Sequence, residues 1–440
     1  MKKVYIETYG CQMNEYDSEL VKSIMQGDEF EFTDEPEEAE VILLNTCSVR
    51  DNANRKVYNR IHQLKANRNG NPVKIGILGC MATNFRQQLL KDSRLPIDFI
   101  AGPDSYKRLP GLITKVMESG EKLFDVTLSE FETYSDVYPA RSGGVNSWIA
   151  VMRGCDNFCT FCVVPYTRGR ERSRDPQNVV DEVRKLADEG FRQITLLGQN
   201  VNSYNFEGRD FAYLLEEVSK IRGIERIRFT SPHPKDFPQN LLKVVAENPK
   251  VCKQIHLPLQ AGNDRILEMM NRTYTQAEYL QLVDQIRALI PDVVLTTDII
   301  VGFPTETEAE FEETVKVVEQ VGYDSAFIFK YSERPKTVAS RKFPDDVPEE
   351  VKTERIVRLV DMQRKISYQK NSRLIGKTQE VLIEQETTKK SAKDYQGRND
   401  GNQIVIFPAG DYHTGQFVKV KITEATPHIL LGEVLEVLDK

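Results

Sequence analysis

The stretch Ser147–Cys162, SWIAVMRGCDNFCTFC, decides the reading of this chain. Its first half is an apolar run of strand character. Its second half delivers Cys155, Cys159 and Cys162, separated by four and then three positions. A zinc site more typically presents two C-x-x-C pairs or adds a histidine, and the stretch contains no histidine. Three thiolates on one tight loop instead suit three irons of a 4Fe-4S cluster, with the fourth iron open to an outside ligand.

Downstream, five further strand candidates follow SWIAVMRG: QITLLGQN, RIRFTSPH, QIHLPLQ, VVLTTDIIVGFP and SAFIFKYS. Amphipathic helical stretches such as PQNVVDEVRKLADEG and AEFEETVKVVEQVG separate most of them. The pattern predicts an α/β architecture with a partial (β/α)6 barrel, whose chemistry sits at the C-terminal ends of its strands. Polar residues fall at those ends: Gln199 and Asn200, Ser231, Gln260, and Asp298. Each of them is also an ordinary loop or turn former. A helix beginning near Asp345, with Pro348 close to its first turn, closes this region.

Upstream, the runs KKVYIETYG, AEVILLN, VKIGILG and IDFIAG alternate with helical stretches, which predicts a parallel sheet covered by helices. The first three runs end at Cys11, Cys47 and Cys80, spaced by about one strand-helix repeat, so all three thiols should emerge at one sheet edge. Cys252, in VCKQIH, alternates with apolar neighbours and reads as core. The segment from Glu121 to Gly144 loses periodicity and reads as an extended connection. After Gly376, the short alternating runs VLIEQ, NQIVIF, QFVKVKI and ILLGEVL predict a small antiparallel β-barrel. The expected division is 1–118, a linker at 119–140, 141–373, and 374–440.

The net charge of −7 argues against a surface coated in positive charge, so basic patches must be local. One follows the clustered cysteines: Tyr166, Arg168, Arg170, Arg172 and Arg174. Guanidinium groups suit phosphates and an aromatic ring suits a splayed base, although such arginines also pair with acidic neighbours. A second patch comprises Lys377, Lys389, Lys390, Lys393, Arg398, Lys419 and Lys421 in the last domain. The N-terminus lacks a signal-like apolar stretch and no run approaches membrane-spanning length, so a cytoplasmic, reducing location is expected. There, seven cysteines are too few for a disulfide scaffold, clustered cysteines more often bind metal or do chemistry, and six of the seven fall in the two trios.

The string RGCDNFCTFC, with Phe161 just before the last cysteine, resembles the radical S-adenosylmethionine superfamily. The strings YGCQMNEYDSE, NTCSVR and GCMA resemble the N-terminal domain of the methylthiotransferases, and the lysine-rich last domain resembles the RNA-binding TRAM barrel. The order of domains and the strings NTCSVRDNA and RGCDNFCTFCVVPYTRGRERSR look most like methylthiotransferases that act on tRNA. The resemblance implies two 4Fe-4S clusters, one on Cys155, Cys159 and Cys162 and an auxiliary one on Cys11, Cys47 and Cys80. It implies S-adenosylmethionine held near Phe161, Gln199, Asn200, Ser231, Gln260 and Asp298, with IIVGFP as the adenine-contacting strand and Ala261 replacing a usual serine.

The implied reaction joins a methylthio group to C2 of N6-isopentenyladenosine beside the anticodon. One S-adenosylmethionine methylates a cluster-borne sulfur and a second yields the radical that removes hydrogen, with no catalytic side chain beyond the clusters. The implied partners are the tRNA anticodon stem-loop and an electron-donor protein such as flavodoxin or ferredoxin, with the enzyme a monomer. Two rival readings stay open: the same chemistry on a ribosomal protein or on threonylcarbamoyladenosine, and a non-catalytic redox sensor that binds RNA.

Overall fold

The computed structural model describes residues 1–26, 29–48, 51–66, 73–141 and 143–438. The N-terminal region is a parallel sheet in the order Phe30–Phe32, Lys2–Tyr9, Val41–Thr46, Lys74–Gly79, Phe99–Ala101, Leu123–Asp125. Its two middle strands, VILLNT and KIGILG, are almost wholly buried, as strands covered by helices on both faces must be. The edge strands Phe30–Phe32 and Leu123–Asp125, three residues each, were not legible as apolar runs. The second of them lies inside the expected connection, which is therefore partly sheet. The rest of that segment packs as a strap: Tyr134 is fully buried, donates to the Pro103 carbonyl at 2.9 Å and accepts from the Tyr106 N–H at 3.1 Å.

All six central strands form where the apolar runs place them. Asn146–Ala150, Gln193–Leu197 and Arg226–Phe229 make one parallel set, and Gln254–His256, Val294–Val301 and Ser325–Lys330 make another. An isolated bridge, Ile227 to Val251, links the third strand to the chain just ahead of the fourth. Helix Pro176–Asp188 is capped by Asp175, whose side chain accepts from the Gln177 N–H, while helix Glu308–Val321 opens with a capping box of Thr307 and Glu310. The closing helix runs Glu349–Ser372 and starts at Pro348, not near Asp345. Asp345 instead accepts an ion pair from Lys352 one turn into that helix.

The C-terminal region is a closed five-stranded barrel. Two features correct the expectation. Strand Asp394–Arg398, DYQGR, lacks the alternation that reveals a strand, and Ile404–Pro408 pairs with Ile429–Leu438 in parallel. This barrel docks against the start of the third central strand through two buried arginines. Arg228 donates to the carbonyls of Asn399 and Asp400, each at 2.7 Å, and Arg226 to those of Arg398 and Glu380 at 2.6 and 2.9 Å. The docking leaves the opposite, C-terminal ends of those strands free for the site.

Candidate functional site

Cys155, Cys159 and Cys162 lie on the loop that leaves the first central strand. Gly154 makes that loop possible. Its φ is +77°, and a Cβ there would sit 1.9 Å from the Arg170 carbonyl oxygen, so only glycine fits. Phe158, at φ +47°, bends the chain again between the first two cysteines. The loop is tied down at both sides: the Thr160 N–H donates to the Met270 carbonyl at 3.0 Å and the Ala339 N–H to the Thr160 carbonyl at 2.8 Å. The three thiols lie within electrostatic reach of one another. Burial, with the neighbouring thiols adding, pushes Cys155 up to about 12 and Cys162 higher still. Such a set is poor at holding separate thiolates and fits a shared metal centre, whose positive irons would stabilise all three. Arg272 Nη1 donates to Cys159 Sγ at 3.3 Å.

The second trio is assembled by sheet register. Tyr9 is opposite Thr46, and Thr46 is opposite Gly79. Cys11, Cys47 and Cys80 leave those strands one or two residues later at the same edge. Gly79, at φ +83°, turns the chain into the helix Cys80–Phe85, and a Cβ there would strike Asn45 Oδ1 at 2.5 Å and the Thr46 carbonyl at 2.6 Å. A buried amide network fixes the edge: Asn14 Nδ2 donates to Asn45 Oδ1 at 3.1 Å, and Asn45 Nδ2 to the Asn14 carbonyl and Ser18 Oγ, each at 2.9 Å. Cys11 is drawn down to about 6, first by its contact with the Cys47 thiol and then by the Arg168 charge, against burial.

The two trios meet. Helix Val164–Arg168, which follows Cys162, packs on helix Cys80–Phe85. Arg168 Nε donates to Cys80 Sγ at 3.2 Å. At about 1.5 Å per residue, this five-residue helix is only about 7.5 Å long, so little chain separates the sites.

The basic run is therefore corrected for three of its four arginines. Arg168 pairs with Asp17 at 2.7 Å, Arg172 with Asp104 at 3.1 Å and Arg174 with Glu182 at 2.7 Å, all buried. Asp17 also holds Arg153 at 2.6 Å. These arginines weld the sheet to the central domain, and their burial removes them from contact with RNA in this conformation. Arg170 alone is exposed; it pairs with Asp156 at 2.8 Å and stacks on Phe158 with its guanidinium 5.1 Å from the ring centre, where Tyr166 meets Phe158 edge-on.

Of the predicted cofactor residues, Gln199 Oε1, Asn200 Oδ1 and Gln260 Oε1 are buried atoms without a partner among the described residues, at the ends of the second and fourth strands. Ser231 and Gln260 both take positive φ, +58° and +67°, strained for residues that carry a Cβ. Unpaired acceptors and strained backbone at strand ends fit a polar cofactor bound there. Asp298 instead contacts His256 Nε2 at 3.2 Å, and His256 Nδ1 meets Thr296 Oγ1 at 2.9 Å. Phe161 packs half-buried against the barrel core. In the last domain, Lys377, Lys389, Lys390, Lys393, Lys419 and Lys421 are exposed, Lys419 pairing with Glu436, whereas Arg398 is committed to Glu384 at 3.1 Å.

Sequence reading missed Arg272, His233, His256 and Asp17. His233 is held down to about 2 by burial and by the Arg272 and Lys235 charges, so its ring stays neutral. Its Nδ1 accepts from the Lys235 N–H at 3.3 Å, which puts the proton on Nε2, a buried donor without a partner among the described residues. The run SPHP at the end of a predicted strand was the available signal. Asp17 carried none, because its arginine partners, Arg153 and Arg168, lie more than a hundred residues away.

Three cysteines on a loop above a six-stranded parallel partial barrel define a radical S-adenosylmethionine protein, and residues 149–318 match the radical SAM superfamily. Such proteins use S-adenosylmethionine with a 4Fe-4S cluster. Residues 3–102 match an uncharacterized family, UPF0004, and residues 372–435 match the TRAM domain. The fold is similar to the radical S-adenosylmethionine methyltransferase TsrM of Kitasatospora setae, with a TM-score of 0.58 at 15% identity over 77% of this chain and 75% of that one. Two curated relatives are tRNA-2-methylthio-N(6)-dimethylallyladenosine synthases. That of Parabacteroides distasonis is 48% identical over 99% of this chain and 96% of its own, and that of Porphyromonas gingivalis is 49% identical over 99% and 95%. The chain belongs to the tRNA-2-methylthio-N(6)-dimethylallyladenosine synthase family of radical S-adenosylmethionine methylthiotransferases.

Proposed function

We propose that this chain adds a methylthio group to C2 of N6-dimethylallyladenosine beside the tRNA anticodon, and that Cys11, Cys47 and Cys80 hold a second 4Fe-4S cluster. The observation that carries the reading is the packing of helix Cys80–Phe85 on helix Val164–Arg168, with Arg168 on Cys80 Sγ. This packing supports the reading, because a reaction needing both trios requires the elements that carry them to be neighbours.

With clusters and S-adenosylmethionine bound, the site supplies an adenosyl radical and a transferable sulfur. The protein's own part is positional. The unpaired oxygens of Gln199, Asn200 and Gln260 and the His233 Nε2–H orient the polar groups of S-adenosylmethionine. Arg168 and Asp17 fix Cys80 relative to the loop of the first trio. Phe158, Tyr166 and Arg170 offer a stacking and phosphate-binding surface beside that loop, and Lys377, Lys419 and Lys421 add charge for the backbone of the RNA. No side-chain acid or base is assigned.

A low-potential electron-donor protein such as flavodoxin or ferredoxin supplies the electron, and the enzyme works as a monomer in the cytoplasm. Among the described residues, no helix is long and apolar enough to cross a membrane.

The test is nucleoside mass spectrometry after incubating reduced, reconstituted protein with S-adenosylmethionine and tRNA bearing N6-dimethylallyladenosine. The methylthio nucleoside is expected with this tRNA and not with tRNA lacking the isoprenoid. Release of 5′-deoxyadenosine without that nucleoside would overturn the substrate, and release of neither would overturn the enzyme.

A further inference from the structure

Each cysteine trio is touched by one buried guanidinium, but the two differ in counter-charge. Arg168 has Asp17. Arg272 donates from Nε to Tyr274 Oη at 3.1 Å, from Nη2 to the Pro258 carbonyl at 3.4 Å and from Nη1 to Cys159 Sγ at 3.3 Å. Among the described residues, no carboxylate pairs with it. The residue is 7% exposed, and the imidazole near it, His233, is neutral.

A guanidinium cannot discard its proton, and burying one without an anion is strongly unfavourable. The phenol and carbonyl that Arg272 also meets are neutral and offset its charge only in part, and among the described residues Cys159 Sγ is the anionic candidate it touches. Its geometry also spans two elements. Arg272 follows the helix Asp264–Met269, whereas Cys159 belongs to the loop after the first strand, so the contact crosses the mouth of the barrel.

We propose that Arg272 is a positioning residue that serves as counter-charge to the radical cluster and raises its reduction potential. A cluster on three thiolates is anionic, and uptake of one electron from an external low-potential reductant adds one further negative charge. A fixed positive charge and an N–H···S hydrogen bond both favour the reduced form. The inference rests on a cluster at Cys155, Cys159 and Cys162 and is independent of the RNA substrate.

The experiment is a dithionite titration followed by electron paramagnetic resonance, on full-length reconstituted protein carrying Cys47→Ala so that only the radical cluster contributes signal. At a fixed potential, Arg272→Gln should lower the reduced-to-oxidised ratio at least about tenfold, which is about 59 mV for one electron. Arg272→Lys, which keeps the charge, should stay nearer the parent. A full iron complement in Arg272→Gln with an unchanged potential overturns the proposal. Should Arg272→Gln hold no iron, the lysine variant decides. Iron retained with lysine supports charge compensation, while iron lost from a folded lysine variant makes Arg272 a packing residue and overturns it.

Discussion

The two cysteine trios are gathered by opposite routes. Cys155, Cys159 and Cys162 are neighbours in the chain, and two local bends, at Gly154 and Phe158, wrap their loop. Cys11, Cys47 and Cys80 become neighbours only when three parallel strands align Tyr9, Thr46 and Gly79. The first trio is therefore a local property of the sequence and the second a property of the sheet. Their electrostatics differ in the same sense. Burial raises Cys155 and Cys162, whereas Cys11 is drawn down by a thiol from another strand and an arginine from another domain.

The comparison is broken most severely by deleting one ligand from each trio. Cys159→Ala should reduce 5′-deoxyadenosine release below detection. Cys80→Ala should leave release at the wild-type order while abolishing the methylthio nucleoside. If both variants lose release together, the sites are not separable.

Asp17→Asn comes next. It leaves Arg153 and Arg168 buried without their shared anion, at a cost of about 3–5 kcal/mol. Chemical denaturation of the iron-free protein measures this, and the sheet-edge trio should lose iron before the loop trio does. Unchanged stability would mean that the Asp17 network does not weld the domains.

Gly79→Ala and Gly154→Ala sharpen the contrast one trio at a time. Each forces a side chain into positive φ, of order 1–3 kcal/mol before any clash. Each should deplete iron from its own trio only, as read by iron analysis in single-trio backgrounds.

The smallest effect is on RNA. If Arg170, the exposed arginine of the run, contacts a phosphate as proposed, Arg170→Ala should weaken tRNA binding and make the log–log salt slope shallower by about 1. Arg174→Ala should act through stability, its partner being the buried Glu182. Filter binding across a salt series separates the two.

These differences also mark what was legible in the sequence. The six central strands and the loop trio could be read directly, because apolar runs and ligand spacing are local. The common edge of Cys11, Cys47 and Cys80 followed from the strand-helix period, but only the register shows them adjoining. Arg168, Arg172 and Arg174 looked like an RNA surface because their carboxylate partners, Asp17, Asp104 and the more local Glu182, are set by domain packing and not by spacing. Strand Asp394–Arg398 escaped notice because a strand closing a small barrel can be polar where its neighbours supply the apolar face. Arg272 lay in a turn with no motif around it, and its meaning depends on Cys159 arriving from more than a hundred residues away.

The central claim is that both trios hold a cluster. It is tested most directly by iron and acid-labile sulfide analysis after anaerobic reconstitution of the wild type and of Cys47→Ala. The account predicts about eight irons per chain in the first and about four in the second. About four in both would contradict it, leaving Cys11, Cys47 and Cys80 as thiols gathered at a sheet edge without a cluster to hold.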